Sequence, residues 1–256
     1  MQPILQVERL SRRFGGLIAV ADVSFAVEFG EIRGLIGPNG AGKTTTFNVI
    51  SGFYPPSAGR VRFAGTNISG WGTHRIAGLG LVRTFQHTTL FQELSVYENV
   101  LVGRHLSARR GLVASLLRTR SGSDAEARQA AEELLDFFGL ADRAHEPAGV
   151  LPHGLQRALG LAVALAAEPR LLLLDEPFTG MNPGETRRMM ELILRVRGRG
   201  VTILLVEHDM VAVMGLCDRI TVLNFGRLLA EGTPEVIRRD PQVIEAYLGA
   251  PANAAH

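Results

Sequence analysis

Lys43 is the only lysine in this chain, and it closes a complete G-x-x-x-x-G-K-[ST] string, Gly37-Pro38-Asn39-Gly40-Ala41-Gly42-Lys43-Thr44. Of the 27 lysine and arginine side chains, all the others are arginine. An ammonium is a compact point charge that reaches β- and γ-phosphate oxygens from inside a tight loop, where a planar guanidinium does not fit. A few fixed positions can match by chance, so the flanks decide. Ile32 to Ile36 is an apolar run that reads as a buried strand, and Thr45 to Ile50 reads as a helix start. Strand, glycine loop and helix N-terminus together present backbone N–H groups and a positive dipole end to one anion. The pattern calls for an α/β fold. It implies that Gly37, Pro38, Asn39, Gly40, Ala41, Gly42, Lys43, Thr44 and Thr45 hold the phosphates of a nucleoside triphosphate.

Three further motifs carry chemistry. Leu171-Leu172-Leu173-Leu174-Asp175-Glu176-Pro177 reads as a buried strand with an acidic pair at its C-terminal end, where α/β sheets place ligands. Asp175 is expected to hold Mg2+ through its water shell, with the Thr44 hydroxyl as a direct ligand. Glu176, one residue further and off the metal, is placed to polarise an attacking water; the bland alternative is a helix cap after the strand. Val206-Glu207-His208-Asp209 ends another apolar run. An imidazole there can donate to the γ-phosphate, although a lone histidine is more often structural. Gln86, in Arg83-Thr84-Phe85-Gln86-His87, stands where the chain changes character. Its amide can touch the metal or a water on one side and follow domain rotation on the other.

A length of 256 residues suits one large α/β domain or a domain with a substantial insertion. The net charge of only +2 gives no argument for nucleic-acid binding. A single cysteine, Cys217, rules out an intrachain disulfide, fits a reducing compartment and reads as a small buried hydrophobe. The first thirteen residues carry Glu8, Arg9, Arg12 and Arg13 and lack the apolar core of a signal peptide. The longest apolar stretch, Leu155 to Leu174, is interrupted by Glu168-Pro169-Arg170, so no membrane-spanning helix is expected. These features predict a soluble, cytoplasmic protein.

Along the chain, period-two alternation in the first thirty residues predicts antiparallel strands turning at Gly15-Gly16. Residues 56 to 68 read as a turn and a short strand. From about 87 to 150 strand-like runs vanish, and Ser123-Asp124-Ala125-Glu126 reads as a capping box for a helix ending at Gly139. The segment therefore reads as a mostly helical insertion. Leu171 to Leu174 and Val201 to Val206 read as parallel strands around a helix from Gly184 to Arg197, which is βαβ logic. A hairpin turning at Asn224 to Gly226 follows, and Thr233-Pro234-Glu235 opens a short terminal helix. Pro251 to His256 is expected to be a disordered tail.

With these motifs in order the chain resembles the nucleotide-binding subunit of an ATP-binding cassette (ABC) transporter over residues 4 to 249. Arg13 to Val20, Arg83-Thr84-Phe85-Gln86, the basic segment Arg104 to Arg120, Gly180-Met181-Asn182-Pro183 and the ending Glu231 to Gly249 resemble its branched-chain amino acid import branch. The resemblance implies a P-loop NTPase with a mixed core sheet, an N-terminal antiparallel β subdomain and a helical subdomain. The core would comprise 1–86 and 158–249, the helical subdomain about 87–157, and the tail 250–256. It also implies ATP and Mg2+ as cofactors, with Lys43, Gln86, Glu176 and His208 catalytic and Thr44, Gln86 and Asp175 at the metal. Phe14 would stack on adenine; its alternative is a core phenylalanine of the first sheet. The implied partners are a second cassette subunit, two membrane permeases and, indirectly, a periplasmic solute-binding protein, at the cytoplasmic face of the inner membrane.

One motif departs from the family pattern. The signature segment should resemble Leu-Ser-Gly-Gly-Gln, or Leu-(Ala/Ser)-Tyr-Gly-Gln in this branch, but reads Leu151-Pro152-His153-Gly154-Leu155-Gln156-Arg157. Gly154, Gln156 and Arg157 match. Pro152 supplies neither a hydroxyl nor a backbone N–H, and Leu155 replaces an amide side chain. In the family this segment caps the γ-phosphate held by the opposite subunit. Either that site is weakened, or the Gly154 N–H and the helix dipole suffice. The basic segment has two readings as well: it faces a membrane partner or anionic headgroups, or it is a solvated surface helix. Rival functions are a lipid or lipopolysaccharide export cassette, a regulatory cassette with low turnover, and a soluble cassette protein acting on DNA or the ribosome. One cassette, no heptads and one cysteine count against the last.

Overall fold

The computed structural model describes residues 2–84, 90–108 and 120–248. The chain forms two compact units, residues 1–73 with 202–256 and residues 74–201. In the first, strands β1 (Leu5–Phe14) and β2 (Leu17–Val27) form the expected hairpin, with Gly15 at positive φ in its turn. Strand β3 (Ile32–Ile36) is buried along its whole length and runs into the glycine loop and helix α1 (Lys43–Ile50). Strands β4 (Ala58–Phe63) and β5 (Thr66–Asn67) then extend the hairpin into an antiparallel sheet of order β2-β1-β4-β5.

The second unit starts within α2 (Thr73–Leu79) and continues through β6 (Leu81–Arg83), α3 (Val96–Ala108) and α4 (Arg120–Phe138). It ends with α5 (His153–Ala166), β7 (Leu171–Asp175) and α6 (Pro183–Gly198). Strands β6 and β7 are parallel, with Arg83 opposite Leu173. Val96, Val100, Leu135, Phe138, Leu159 and Ala162 form the apolar interior where α3, α4 and α5 meet. The helical character expected after residue 87 is present among the described residues. The capping box expected at Ser123 is not: α4 begins at Arg120, so Ser123 lies in its first turn, and a local cap motif was read where the helix was already running. The helix does end where expected, with Gly139 in the left-handed region.

The chain returns to the first unit with β8 (Thr202–Val206), α7 (Met210–Leu216), β9 (Arg219–Asn224) and β10 (Arg227–Gly232). Strands β8 and β9 flank β3 in parallel, and β10 pairs antiparallel to β9, so this sheet is mixed, as expected. Two short helices follow instead of one, α8 (Pro234–Arg239) and α9 (Pro241–Leu248). Pro241 cannot continue the first, and the Asp240 carboxylate accepts the N–H groups of Gln242 and Val243 to start the second. The expected tail lies outside the described residues.

Strand β3 also carries the best-tied charge of the first unit. The Arg33 guanidinium, 3% exposed, meets Glu31 at 3.0 Å and Glu231 at 3.1 Å and donates to the Thr221 hydroxyl. Arg33→Met is expected to lower unfolding stability by about 3 kcal/mol, because it leaves the buried Glu31 carboxylate without its counter-ion. Urea titration measures this; an unchanged midpoint would show that water reaches the pair. Cys217 is buried beside the same strand. Burial, with the Asp218 and Glu31 carboxylates adding to it, pushes its thiol up to about 12, which suits an inert hydrophobe.

Candidate functional site

The phosphate loop is built by close packing of backbone on backbone. Gly37 and Gly42 both hold positive φ, at 151° and 98°. A Cβ on Gly37 would run into the Leu223 carbonyl, and one on Gly42 would stand 2.6 Å from the Ala19 carbonyl oxygen. Gly226 ties the loop further: its N–H donates to the Ala41 carbonyl at 3.0 Å, and its own carbonyl accepts from Ala21 at 2.7 Å. The Lys43 ammonium curls back over the loop and donates to the carbonyls of Gly37 (2.6 Å) and Pro38 (3.0 Å). Thr44 is exposed and Thr45 half-buried in the first turn of α1, and that turn has no acidic side chain to compete with an anion. Thr46, by contrast, is buried, and its hydroxyl donates to the Gly42 carbonyl.

His208 leaves the same edge of the sheet. Leu35 of β3 lies opposite Val206 of β8, so Gly37 and His208 both follow the C-terminal ends of neighbouring parallel strands. Glu207 is buried there and accepts the N–H groups of His208 (2.8 Å) and Asp209 (3.1 Å), while Asp209 caps α7. These bonds turn the His208 side chain outward, where it is 62% exposed, with Nδ1 3.6 Å from the Glu207 carboxylate. Phe14 is not a core residue: it is 38% exposed at the end of β1, edge-on to Tyr54 at 5.3 Å. The Arg12 guanidinium lies 4.6 Å from the Phe14 ring centroid and 5.2 Å from that of Tyr54. The strand partner of Phe14 is Leu17, two residues from the Ala19 carbonyl that abuts Gly42.

The second unit holds the acidic pair and the signature. All five residues of β7 are buried, and Asp175 at its end is bound at 2.6 Å by Arg83 of β6. Glu176 follows in the left-handed region (φ 47°), and its carboxylate accepts from the Thr179 hydroxyl at 3.3 Å. Pro152 is the N-cap of α5 and provides no side-chain cap, as expected of proline at a helix start. His153 Nε2 lies 3.2 Å from the Thr179 carbonyl oxygen. Gly154 sits so near α6 that a Cβ would stand 2.9 Å from Glu185 Oε1, and Glu185 is itself engaged in a capping box with Asn182. The start of the signature helix thus rests on the loop that follows Glu176.

The expected residues therefore fall into two groups. Phe14, Gly37 to Thr45 and His208 lie in the first unit; Asp175, Glu176 and Gly154 lie in the second. Gln86 lies outside the described residues, as does most of the basic segment between Arg104 and Arg120. Sequence reading missed Arg83 as the Asp175 partner, Thr179 as the Glu176 partner, and Glu207 as the anchor of the His208 backbone. Only Glu207 had a local signal, a carboxylate inside an otherwise apolar strand end.

The sequence profile of the ABC transporter family matches residues 20–179, more than half of the chain. The chain belongs to the ABC transporter family. A second profile, that of the branched-chain amino acid ATP-binding cassette transporter, matches residues 227–253 of this cassette. The cassette is 47% identical over 251 residues to the high-affinity branched-chain amino acid transport ATP-binding protein LivG of Escherichia coli (strain K12), covering 97% of this chain and 98% of that protein. It is 46% identical, over the same shares, to the corresponding protein BraF of Pseudomonas aeruginosa. Among solved structures it resembles the ADP conformation of an ATP-binding cassette of an ABC transporter, with a TM-score of 0.86 and 31% identity. That match covers 98% of this chain and 100% of the other. The α/β architecture with its mixed and antiparallel sheets is the ABC cassette fold.

Proposed function

We propose that this cassette hydrolyses ATP to drive uptake of branched-chain amino acids or related small polar solutes. The observation that carries the solute class is the match of the branch-specific profile to residues 227–253. In this reading the Gly37 to Thr45 loop holds the phosphates through its backbone N–H groups, which every residue but Pro38 supplies, and Lys43 reaches the β- and γ-phosphates. Phe14 stacks on adenine, with Tyr54 and Arg12 supporting its ring. His208 donates to the γ-phosphate, Glu176 accepts the proton of the attacking water, and Gly154 faces the ATP of a partner cassette. Thr44, Asp175 and Gln86 would hold Mg2+, which supplies charge neutralisation on the phosphates. The donors fit that ion: they are a hydroxyl, a carboxylate and an amide, all oxygen ligands. The core at 1–86 and 158–249, the helical subdomain at about 87–157 and the tail at 250–256 belong to the same reading.

The proposed assembly is a heterodimer with a second cassette, two permeases and a periplasmic solute-binding protein, at the cytoplasmic face of the inner membrane. Among the described residues no helix is long and apolar enough to cross a membrane, so the permeases would carry the pathway. The signature favours the heterodimer. Pro152 has no hydroxyl, and a hydrogen bond lost to a charged oxygen is worth about 1.5–3 kcal/mol. A homodimer would weaken both sites, whereas a partner with an intact signature leaves one complete. The purified cassette is therefore expected to show little ATPase activity alone and clear stimulation by a second cassette with its permeases. Pro152→Ser with Leu155→Gln should raise turnover mainly at the partner's site. A vigorous ATPase alone, unmoved by that double change, would mean that the altered signature is fully competent. Uptake of labelled leucine into vesicles carrying the whole assembly tests the solute class, and lipid movement instead would favour the export reading.

A further inference from the structure

Arg83 and Asp175 come from different strands and meet in the interior of the second unit. The Arg83 side chain is 9% exposed and that of Asp175 5%, and Nη2 lies 2.6 Å from Oδ2. The parallel register of β6 and β7 sets Arg83 opposite Leu173, and the Thr84 N–H donates to the Leu173 carbonyl at 2.9 Å. The guanidinium is therefore delivered by a strand that is itself bonded to the strand carrying the carboxylate. A buried charge pair of this kind is held together strongly, because neither partner has water to replace the other. Yet the proposed function asks the same carboxylate to serve a divalent cation. With Oδ2 taken by the guanidinium at 2.6 Å, Oδ1 is left for the water shell of Mg2+, and the two cations then share one negative charge.

We propose that Arg83 is a resident counter-cation of Asp175 that competes with Mg2+ for the carboxylate's charge when Mg2+·ATP binds. This rests on the reading of Asp175 as the metal carboxylate. It gives β6 a part in nucleotide binding that the motifs themselves do not show: the strand leading toward Gln86 holds the acidic residue neutralised before a metal arrives. Arg83 is a positioning residue in this scheme, acting through Asp175 rather than on substrate. Its charge lowers metal affinity and keeps the metal-free cassette folded around a compensated carboxylate.

The test is Arg83→Gln, which keeps an N–H donor for Oδ2 and removes the charge. Mn2+ binding, read by electron paramagnetic resonance with a non-hydrolysable ATP analogue present, is expected to tighten by roughly ten-fold. That is a modest result for removing one contacting charge at an effective dielectric near 20. The metal-free variant should melt several degrees lower than the parent and regain most of that loss with Mg2+ and the analogue. Unchanged or weaker Mn2+ binding overturns the proposal. The parent chain gives a second readout should the variant fold poorly. Its Arg83 guanidinium resonances, assigned with Arg83→Lys, should shift when Mg2+ joins the bound analogue and not with the analogue in chelator. Resonances indifferent to Mg2+ would equally overturn it. A parent that binds no nucleotide at all would instead count against the proposed function, leaving the Arg83–Asp175 pair to be judged by its melting behaviour alone.

Discussion

Lys43→Ala is expected to lower ATP hydrolysis by at least about 10²–10³-fold and to weaken nucleotide binding, while the domain stays folded. The ammonium makes its hydrogen bonds to the carbonyls of Gly37 and Pro38, on the loop surface rather than in the apolar interior. Both carbonyls can turn to water when the side chain is removed. The loop is held independently by the packing of Gly37 on Leu223 and of Gly42 on Ala19, so its path should survive. The expected loss in melting temperature is a few degrees at most. Equilibrium binding of a fluorescent ATP analogue, with melting curves on the same sample, separates the two effects. An active Lys43→Ala protein would remove the phosphate loop from the proposed mechanism.

The second large effect is expected at Glu176. Glu176→Gln keeps the size of the side chain and an oxygen to accept the Thr179 hydroxyl, so the strained φ of 47° should persist. An amide cannot take a proton from water, and turnover should fall by about 10²–10⁴-fold with ATP still bound. The nucleotide-bound assembly should then accumulate on size-exclusion chromatography in ATP and Mg2+. Parent-like hydrolysis would move the general base to another residue.

Both positions were legible in the sequence because their signals are local. A short, mostly apolar strand followed by a glycine loop, or four leucines followed by an acidic pair, states its geometry within one short stretch. The same holds for β8 with His208 and for the hairpin of β9 and β10. Less was legible where pairing is distant. Arg83 and Asp175 are 92 residues apart, and nothing near either one announces the other. Cap motifs misled for a different reason. Ser123 and Glu126 have the right spacing, but helix α4 is already formed at Arg120, so the same residues sit inside a turn instead of starting one. Phe14 was open between core and ligand because a β-strand end exposes one side chain and buries the next. Its 38% exposure beside Tyr54 excludes the core.

The bonds around Gly226 bear on how such cassettes can be recombined. The residue that turns the β9–β10 hairpin donates to Ala41 and accepts from Ala21, and Leu223, near the end of β9, closes over Gly37. The stretch matched by the branch-specific profile begins at residue 227, immediately after this clasp. A chimaera joined at 227 would keep the parental clasp and inherit only what lies beyond it. A junction a few residues upstream would exchange the clasp as well, and with it the fit of the nucleotide loop. In this chain the stretch matched by the branch-specific profile thus begins where a single turn ends.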